Sequence, residues 1–259
     1  MTDRVDLVVA DGREDIISTS TLLERLARVR ENLAAAEQAA GRAAGKVQLL
    51  AVSKFCSVRS VAMLARAGQL EFGENYVQEA LAKQEGLAGL AAGLPIRWHF
   101  IGRLQRNKVR FIAGHFAVVQ TVDSFKLAKS LHEHMPSDSP PLPILLQVNV
   151  GREPQKFGVA EDDLVVLAEA VVGLTGLALE GLMVLPSYAE NPEASRPSFA
   201  RLRELRENLA NRLGRPLPVL SMGMSHDYKV AVEEGATMVR IGTDIFGERP
   251  ACHVKFPVH

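Results

Sequence analysis

The chain has 259 residues, and with 47% hydrophobic and 23% charged residues its composition is typical of a globular protein. Lysine plus arginine and aspartate plus glutamate both number 30, and this zero net charge argues against a general nucleic-acid binder. Cys56 and Cys252 are the only cysteines, too few for a disulfide framework or a zinc site. No signal peptide is recognisable, and no apolar run reaches the roughly 18 residues that a membrane span needs. We therefore expect a cytoplasmic protein that uses no metal and binds neither nucleic acid nor a membrane.

Short apolar segments alternate with helical patterns along most of the chain. An amphipathic helix at about 21–40 precedes them, and a further helix is predicted at about 105–112. The strand candidates are 47–53, 70–73, 96–102, 117–122, 144–150, 177–185, 219–222 and 238–242.

Strands and helices in this order predict an α/β protein with a single closed (β/α)8 barrel of the TIM type, over residues 20–250. The extra N-terminal helix belongs to this domain, and we expect a loose arm at 1–19 and a short tail at 251–259. A doubly wound open sheet is the alternative, but it would normally show a glycine-rich turn after its first strand, and none is present.

The first strand candidate is an apolar run that ends on a lysine. Residues 49–52 read Leu-Leu-Ala-Val, and Ser53 and Lys54 follow. In a barrel this lysine would stand at the ligand-binding mouth, where partial burial favours a neutral amine that can form a Schiff base with a carbonyl. The alternative is that Lys54 only extends its amine from the strand end to solvent.

Polar side chains also fall at the carboxyl ends of the other strand candidates. Because polar groups in or after apolar strands are costly unless they find partners, their concentration at one end of the barrel indicates a binding site. The residues concerned are Gly73, Glu74, Asn75, His99, Gly102, Asp123, Gln147 and Asn149.

The segments after the seventh and eighth strand candidates have the composition of a phosphate cradle. Residues 221–227 read Ser-Met-Gly-Met-Ser-His-Asp and open a helix, and 240–243 read Arg-Ile-Gly-Thr. Small residues with available backbone N–H groups and nearby hydroxyls bind anions, and barrels commonly hold phosphate on these two loops. Ordinary capping by Ser225 and an ordinary turn at Gly242 are the alternative.

Arg240 lies two residues before Gly242 and should point into the barrel mouth. A guanidinium stays charged and can only donate hydrogen bonds, so it would hold a heteroaromatic ring nitrogen unprotonated. The alternative is an ion pair with Asp227, Glu234 or Asp244.

A lysine, a phosphate cradle and an arginine for a ring nitrogen suit pyridoxal 5′-phosphate (PLP), and the ordered motifs of the chain resemble the pyridoxal phosphate homeostasis protein family. This family is similar in fold to the N-terminal barrel of alanine racemase. The resemblance covers about residues 22–250. Its motifs are Ala-Val-Ser-Lys at 51–54, Phe-Gly-Glu-Asn-Tyr-Val-Gln-Glu at 72–79, Trp-His-Phe-Ile-Gly-x-Leu-Gln-x-Asn-Lys at 98–108, Gln-Val-Asn at 147–149, Gly-Leu-Met at 181–183, Ser-Met-Gly-Met-Ser-x-Asp at 221–227, Arg-Ile-Gly-Thr at 240–243 and Phe-Gly-x-Arg at 246–249.

The resemblance implies a role for each matched residue. Lys54 would carry PLP as a Schiff base, and Arg240 would face the pyridine nitrogen. Asn75, His99 and Met183 would line the pocket. The phosphate would be held by the following residues, in part through their backbone: Ser221, Met222, Gly223, Met224, Ser225, Gly242 and Thr243.

Two further lysine positions of the family deserve comparison. Lys156 matches a family lysine in the loop after the fifth strand, and a solvated loop charge is the alternative there. The family usually has threonine and a second lysine just after the Schiff-base lysine, whereas this chain has Phe55 and Cys56. A transfer role of that second lysine therefore does not carry over.

The function implied is that of a cofactor-binding protein rather than an enzyme. Racemases of this barrel type use a second acid–base residue, a tyrosine from a C-terminal β-domain, and Tyr76, Tyr188 and Tyr228 match no such position. We expect a monomer without catalytic residues that buffers PLP or delivers it to PLP-dependent apo-enzymes. A single-domain amino-acid racemase and a Schiff-base aldolase for a phosphorylated sugar are the alternatives.

Overall fold

The computed structural model describes residues 18–151 and 157–248 of the chain. The predicted tail at 251–259, most of the predicted arm at 1–19, and Lys156 lie outside the described residues. Within them, no helix is both long and apolar enough to span a membrane.

The described residues form a closed barrel of parallel strands surrounded by helices. The strands are β1 (Gln48–Val52), β2 (Glu71–Glu74), β3 (Arg97–Phe100), β4 (Val118–Val122), β5 (Leu142–Asn149), β6 (Val159–Ala160), β7 (Leu177–Met183), β8 (Val219–Met224) and β9 (Met238–Ile241). The helices are α1 (Thr19–Ala39), α2 (Val58–Arg66), α3 (Val77–Leu90), α4 (Phe125–His134), α5 (Leu164–Val172), α6 (Arg196–Leu213), α7 (Tyr228–Glu233) and α8 (Thr243–Phe246).

The barrel closes through the pairing of β9 with β1. The hydrogen-bonded order is β1-β2-β3-β4-β5-β7-β8-β9, and β6 pairs only with the end of β5. The sixth, seventh and eighth predicted strands are thus β7, β8 and β9. The prediction of a (β/α)8 barrel is confirmed, and the open doubly wound sheet is excluded.

Alternate side chains of β1 take opposite faces of the barrel wall. Leu49 and Ala51 pack outward, in the hydrophobic cluster that the barrel shares with its helices, whereas Leu50 and Val52 pack in a smaller cluster inside the barrel. If this alternation continues past the strand, Ser53 turns outward and Lys54 is expected on the side of the barrel interior.

The helix predicted at 105–112 is instead a short 3₁₀ helix, Arg106–Phe111. Its N–H groups bond three residues back, from Lys108 to Gln105 and from Ile112 to Val109, both at 2.9 Å. Only Val109 is buried among its six residues, so it has no apolar stripe to stabilise a full α-helix, and 3₁₀ geometry is common in such connectors. The short elements β6 and α8 were not expected, since neither is long enough to show a hydrophobic period.

Candidate functional site

Lys54 lies in a tight turn at the carboxyl end of β1 and is half-buried. The turn is closed by the Cys56 N–H, which donates to the Ser53 carbonyl at 2.9 Å. Phe55 has φ +63°, the only positive φ of a non-glycine residue in the described part of the chain. Its position in the turn after β1 puts Lys54 at the end of the barrel where the carboxyl ends of the strands lie.

Arg240 enters the barrel from β9 and is 3% exposed. Its guanidinium donates to the Ser221 hydroxyl at 2.7 Å and to the Val184 carbonyl at 2.8 Å. Burial lowers the pKa of Arg240 to about 10, and the charge of Asp227 opposes this only in part. Among the described residues no carboxylate makes an ion pair with this guanidinium, so the predicted alternative of a direct pair is not observed.

A chain of buried hydrogen bonds continues from Arg240 across the barrel. Ser221 donates to Gln120 Oε1 at 2.6 Å, the Gln120 amide nitrogen lies 2.8 Å from His99 Nδ1, and His99 Nε2 lies 2.6 Å from Glu71 Oε2. Because the amide nitrogen can only donate, His99 Nδ1 accepts and the ring hydrogen sits on Nε2, facing Glu71. Both predicted residues, Ser221 and His99, therefore act inside the barrel as supports for Arg240.

The loop after β8 is held in one conformation by Asp227. This carboxylate accepts the Met224 N–H at 2.7 Å and the Ser195 hydroxyl at 2.8 Å, and it is 5% exposed. Gly223 has φ +91°, and a Cβ at this position would lie 2.9 Å from the Tyr228 Cα. Only glycine therefore fits here, which keeps the loop close to the following helix.

The loops after β8 and β9 meet at the barrel mouth, as the phosphate-cradle prediction requires. The Ser225 hydroxyl lies 3.4 Å from the backbone nitrogen of Asp244. Gly242 directly precedes α8, and Thr243 is its first residue. The Asp244 N–H donates to the Ser225 hydroxyl, and the Ile245 and Phe246 N–H groups donate to the Gly242 carbonyl, so the Ser225 and Thr243 hydroxyls are the groups of these loops that could meet a phosphate.

Asn75 follows β2, and its backbone is in close contact with Gly102 after β3. A Cβ on Gly102 would lie 2.0 Å from the Asn75 carbonyl oxygen. The side-chain Oδ1 of Asn75 is buried and has no hydrogen-bond partner among the described residues. Such an atom needs a partner, and a bound ligand can supply one.

The predicted methionines differ in their positions. Met183 on β7 is fully buried and lies outside the hydrophobic cluster shared with the helices, whereas Met222 on β8 belongs to that cluster. Met222 can therefore reach a ligand only through its backbone.

Sequence reasoning missed Gln120 and Lys83. Gln120 is one of two polar residues in the buried run Val-Val-Gln-Thr-Val, and this was a usable signal. Lys83 is 1% exposed on α3, but its spacing from Glu79 is that of an ordinary surface pair, so the sequence carried no comparable sign.

Comparison with known proteins agrees with the fold and shows the family. Residues 25–250 match the family described as "Alanine racemase, N-terminal domain". The pyridoxal phosphate homeostasis protein of Pseudomonas aeruginosa is 50% identical over 230 residues, covering 89% of this chain and 96% of that protein. The Escherichia coli protein of the same name is 40% identical over 237 residues, covering 88% and 97%.

Solved structures of similar proteins have the same fold. PipY of Synechococcus elongatus, solved with PLP bound, has a TM-score of 0.77 and 34% identity, covering 87% of this chain and all of that one. Alanine racemase of Corynebacterium glutamicum shares the fold, with a TM-score of 0.63 and 20% identity over 89% of this chain and 64% of that one.

The protein is therefore a barrel of the class that alanine racemase carries at its N-terminus. Within this class, the identity and coverage of its relatives show that the chain belongs to the pyridoxal phosphate homeostasis protein family.

Proposed function

We propose that the protein binds PLP as a Schiff base on Lys54 and acts in intracellular PLP homeostasis, buffering the cofactor or delivering it to apo-enzymes. The observation that carries this proposal is the position of Lys54 in the turn at the carboxyl end of β1, at the same barrel mouth as a buried arginine that has no ion-pair partner among the described residues. Membership in a family named for PLP homeostasis, with a structural relative solved with PLP, supports the choice of ligand.

The residues present fit this cofactor in three respects. The adjoining loops of Ser225 and Thr243 offer two hydroxyls to a phosphate. Arg240 presents a hydrogen-bond donor to a ring nitrogen. The unpartnered Oδ1 of Asn75 can accept a hydrogen bond from a ring substituent or from a water molecule bound with it.

The covalent step joins the neutral amine of Lys54 to the aldehyde of PLP, forming a C=N bond and releasing one water molecule. The bound cofactor would supply an electron-withdrawing ring. Because Arg240 can only donate, it holds the ring nitrogen unprotonated, and this weakens the ring as an acceptor of electrons from a substrate carbanion.

We further propose that the protein is not an efficient enzyme and works as a cytoplasmic monomer. Racemisation needs an acid or base on each face of the reacting carbon. Tyr188 is 78% exposed, Tyr228 is buried on α7, and the Tyr76 ring lies against the Phe55 ring in a tilted arrangement, with centroids 5.4 Å apart. These positions offer no defined second base opposite Lys54.

The first experiment tests the link to Lys54. Purified protein is mixed with PLP, its visible spectrum is recorded, and borohydride reduction is followed by peptide mass mapping. We expect a yellow protein with a pyridoxyl group on Lys54, and loss of both signals in Lys54→Ala. Lys46→Ala is the matched control, since Lys46 is exposed near the opposite end of the same strand. A colourless wild-type protein, or an adduct at another lysine only, would overturn the proposal.

A second experiment separates a carrier from an enzyme. The loaded protein is incubated with a panel of amino acids in heavy water, and deuterium at Cα is followed by NMR. It is also mixed with a PLP-dependent apo-enzyme, whose recovery of activity reports transfer. Rapid exchange without transfer would favour the racemase alternative, and transfer with little exchange would support the carrier.

A further inference from the structure

A buried ionic cluster lies directly behind the Lys54 turn. It consists of Glu74 at the end of β2 and of Glu79 and Lys83 on α3, which are 0%, 8% and 1% exposed. Lys83 Nζ donates to Glu74 Oε1 at 2.7 Å and to Glu79 Oε1 at 2.8 Å. Its third contact is the backbone carbonyl of Ser53, at 2.5 Å, so the ammonium has three oxygen partners.

The cluster holds the residues on both sides of Lys54. On one side, the Ser53 hydroxyl donates to Glu74 Oε1 at 2.6 Å, in addition to the bond from Lys83 to the Ser53 carbonyl. On the other side, the Phe55 N–H donates to Glu79 Oε1. The backbone that carries Lys54 is thus fixed before and after it by one set of charged groups.

The turn needs such support because of its backbone conformation. Phe55 has φ +63°, a region that bulky residues rarely occupy, and such a conformation persists only where the surroundings impose it. The bond to Glu79 involves the N–H of this same residue.

The cluster lies on the opposite face of the barrel wall from the site. Ser53 turns outward, where it contacts Glu74 and Lys83 of α3, whereas the alternation of β1 predicts the inward face for Lys54. The three charged residues therefore act on Lys54 through the backbone. They are positioning residues and do not line the ligand pocket.

Burial and the neighbouring charges shift the pKa values of Glu74 and Lys83. Burial raises the pKa of Glu74, and the charge of Lys83 opposes this. For Lys83, burial by itself lowers the pKa, but Glu74 and Glu79 outweigh it and the net direction is upward. These directions favour the ammonium form of Lys83 and move the loss of the Glu74 proton to higher pH than in an exposed glutamate. Because buried ion pairs add little net stability, a structural role alone gives little reason for this arrangement.

We propose that the Glu74–Glu79–Lys83 cluster positions the Lys54 amine for reaction with the cofactor aldehyde. This inference rests on the proposed function, since it assumes that Lys54 is the reacting group. It assigns to three residues outside the pocket a role in the rate and extent of covalent capture, separate from recognition of the phosphate and the ring.

The test compares two ligands on one set of variants. PLP reports covalent capture, by the rate of appearance of the visible band and the yield of borohydride trapping on Lys54. Pyridoxine 5′-phosphate, which has no aldehyde, reports pocket binding alone by calorimetry. We expect Lys83→Met to reduce capture of PLP by about tenfold or more while pyridoxine 5′-phosphate binds within about twofold of wild type. Lys129→Met, which removes an exposed lysine paired with Glu133 at 3.8 Å on α4, is the control and should change neither.

A second pair of variants covers the case in which Lys83→Met does not fold. Glu79→Gln keeps an oxygen that can accept from Phe55 and Lys83, whereas Glu79→Ala removes it. We expect the glutamine variant to retain most of the capture rate and the alanine variant to lose it, with thermal unfolding used to confirm that both are folded.

The outcomes distinguish the inference from the proposed function. No adduct on Lys54 in the wild type would overturn both. Normal capture by folded Lys83→Met and Glu79→Ala, or an equal loss of binding for both ligands, would overturn the positioning role and leave the proposed function standing.

Discussion

The guanidinium of Arg240 donates to the Ser221 hydroxyl at 2.7 Å, and this acceptor carries no charge. The second acceptor, the Val184 carbonyl, is also neutral. A buried cation bonded only to neutral groups is poorly compensated, and the lowered pKa of Arg240, to about 10, reflects this. This arrangement gives the barrel little stability and agrees with the ligand-facing role proposed for Arg240.

The first prediction follows from this arrangement. Arg240→Met should weaken PLP binding by about 10- to 100-fold, since a hydrogen bond to a charged group contributes roughly 1.5–3 kcal/mol. The thermal midpoint of the PLP-free protein should change little, because the variant also removes a buried charge. Titration by visible absorbance and thermal unfolding measure the two quantities. Arg97→Met, which removes an exposed arginine 3.5 Å from Glu71, should leave both near wild type. Unchanged PLP affinity in Arg240→Met would contradict a ligand-facing role.

The second prediction concerns Gln120, which connects Ser221 to His99 inside the barrel. Gln120→Met removes the acceptor of the Ser221 hydroxyl and the donor to His99 Nδ1. Each buried group left without a partner costs about 1–3 kcal/mol in the free energy of unfolding. Urea unfolding should therefore show a clear loss of stability. Gln84→Met, at a half-exposed glutamine bonded to His115, should stay within about 0.5 kcal/mol of wild type. Equal stability of the two variants would mean that the buried hydrogen bonds of Gln120 contribute nothing to the free energy of unfolding.

The sequence predicted the barrel and the place of Lys54 because both depend on short-range patterns. Apolar strands alternate with helices along the chain, and Lys54 directly follows the apolar run that forms β1. The loops of Ser225 and Thr243 were likewise recognisable from their composition and from their order in the chain.

The residues that support the site were harder to predict because their partners are distant in sequence. Lys83 bonds Ser53, which lies 30 positions away, and Gln120 bonds Ser221, 101 positions away. From the sequence alone, a charged residue on a helix is expected to be solvent-exposed, and only the packing of that helix on the barrel shows that it is buried. Such pairings form only in the closed barrel, and no short-range periodicity of the sequence indicates them.

The third prediction uses the close contact between Gly102 and Asn75. In Gly102→Ala the new Cβ would lie 2.0 Å from the Asn75 carbonyl oxygen, so the backbone on both loops must move. We expect a loss of about 1–3 kcal/mol in the free energy of unfolding, together with weaker PLP binding as Asn75 shifts. Gly89→Ala is the control, because Gly89 lies in α3 with nothing within 4 Å of its added Cβ. It should stabilise the protein by roughly 0.5–1 kcal/mol. Normal PLP binding by Gly102→Ala would argue against a role for Asn75.

The fourth prediction concerns the pH dependence that Glu74 gives to the stability of the PLP-free protein. Burial raises the pKa of this carboxyl above its ordinary value of 4.5, so over the interval between the two values the folded state binds a proton that the unfolded state releases. The contribution of Glu74 to the free energy of unfolding is therefore greatest below pH 4.5 and decreases as the pH rises through the raised value.

Glu74→Gln tests this, since glutamine has the shape of the neutral acid but cannot titrate. The difference in free energy of unfolding, wild type minus variant, should decrease steadily from pH 4.5 upward in urea titrations at a series of pH values. Glu24→Gln removes an exposed carboxylate from α1 and corrects for the loss of one charge. A difference that instead increases with pH would mean that the ionised carboxylate is favoured in the fold, with Lys83 outweighing burial.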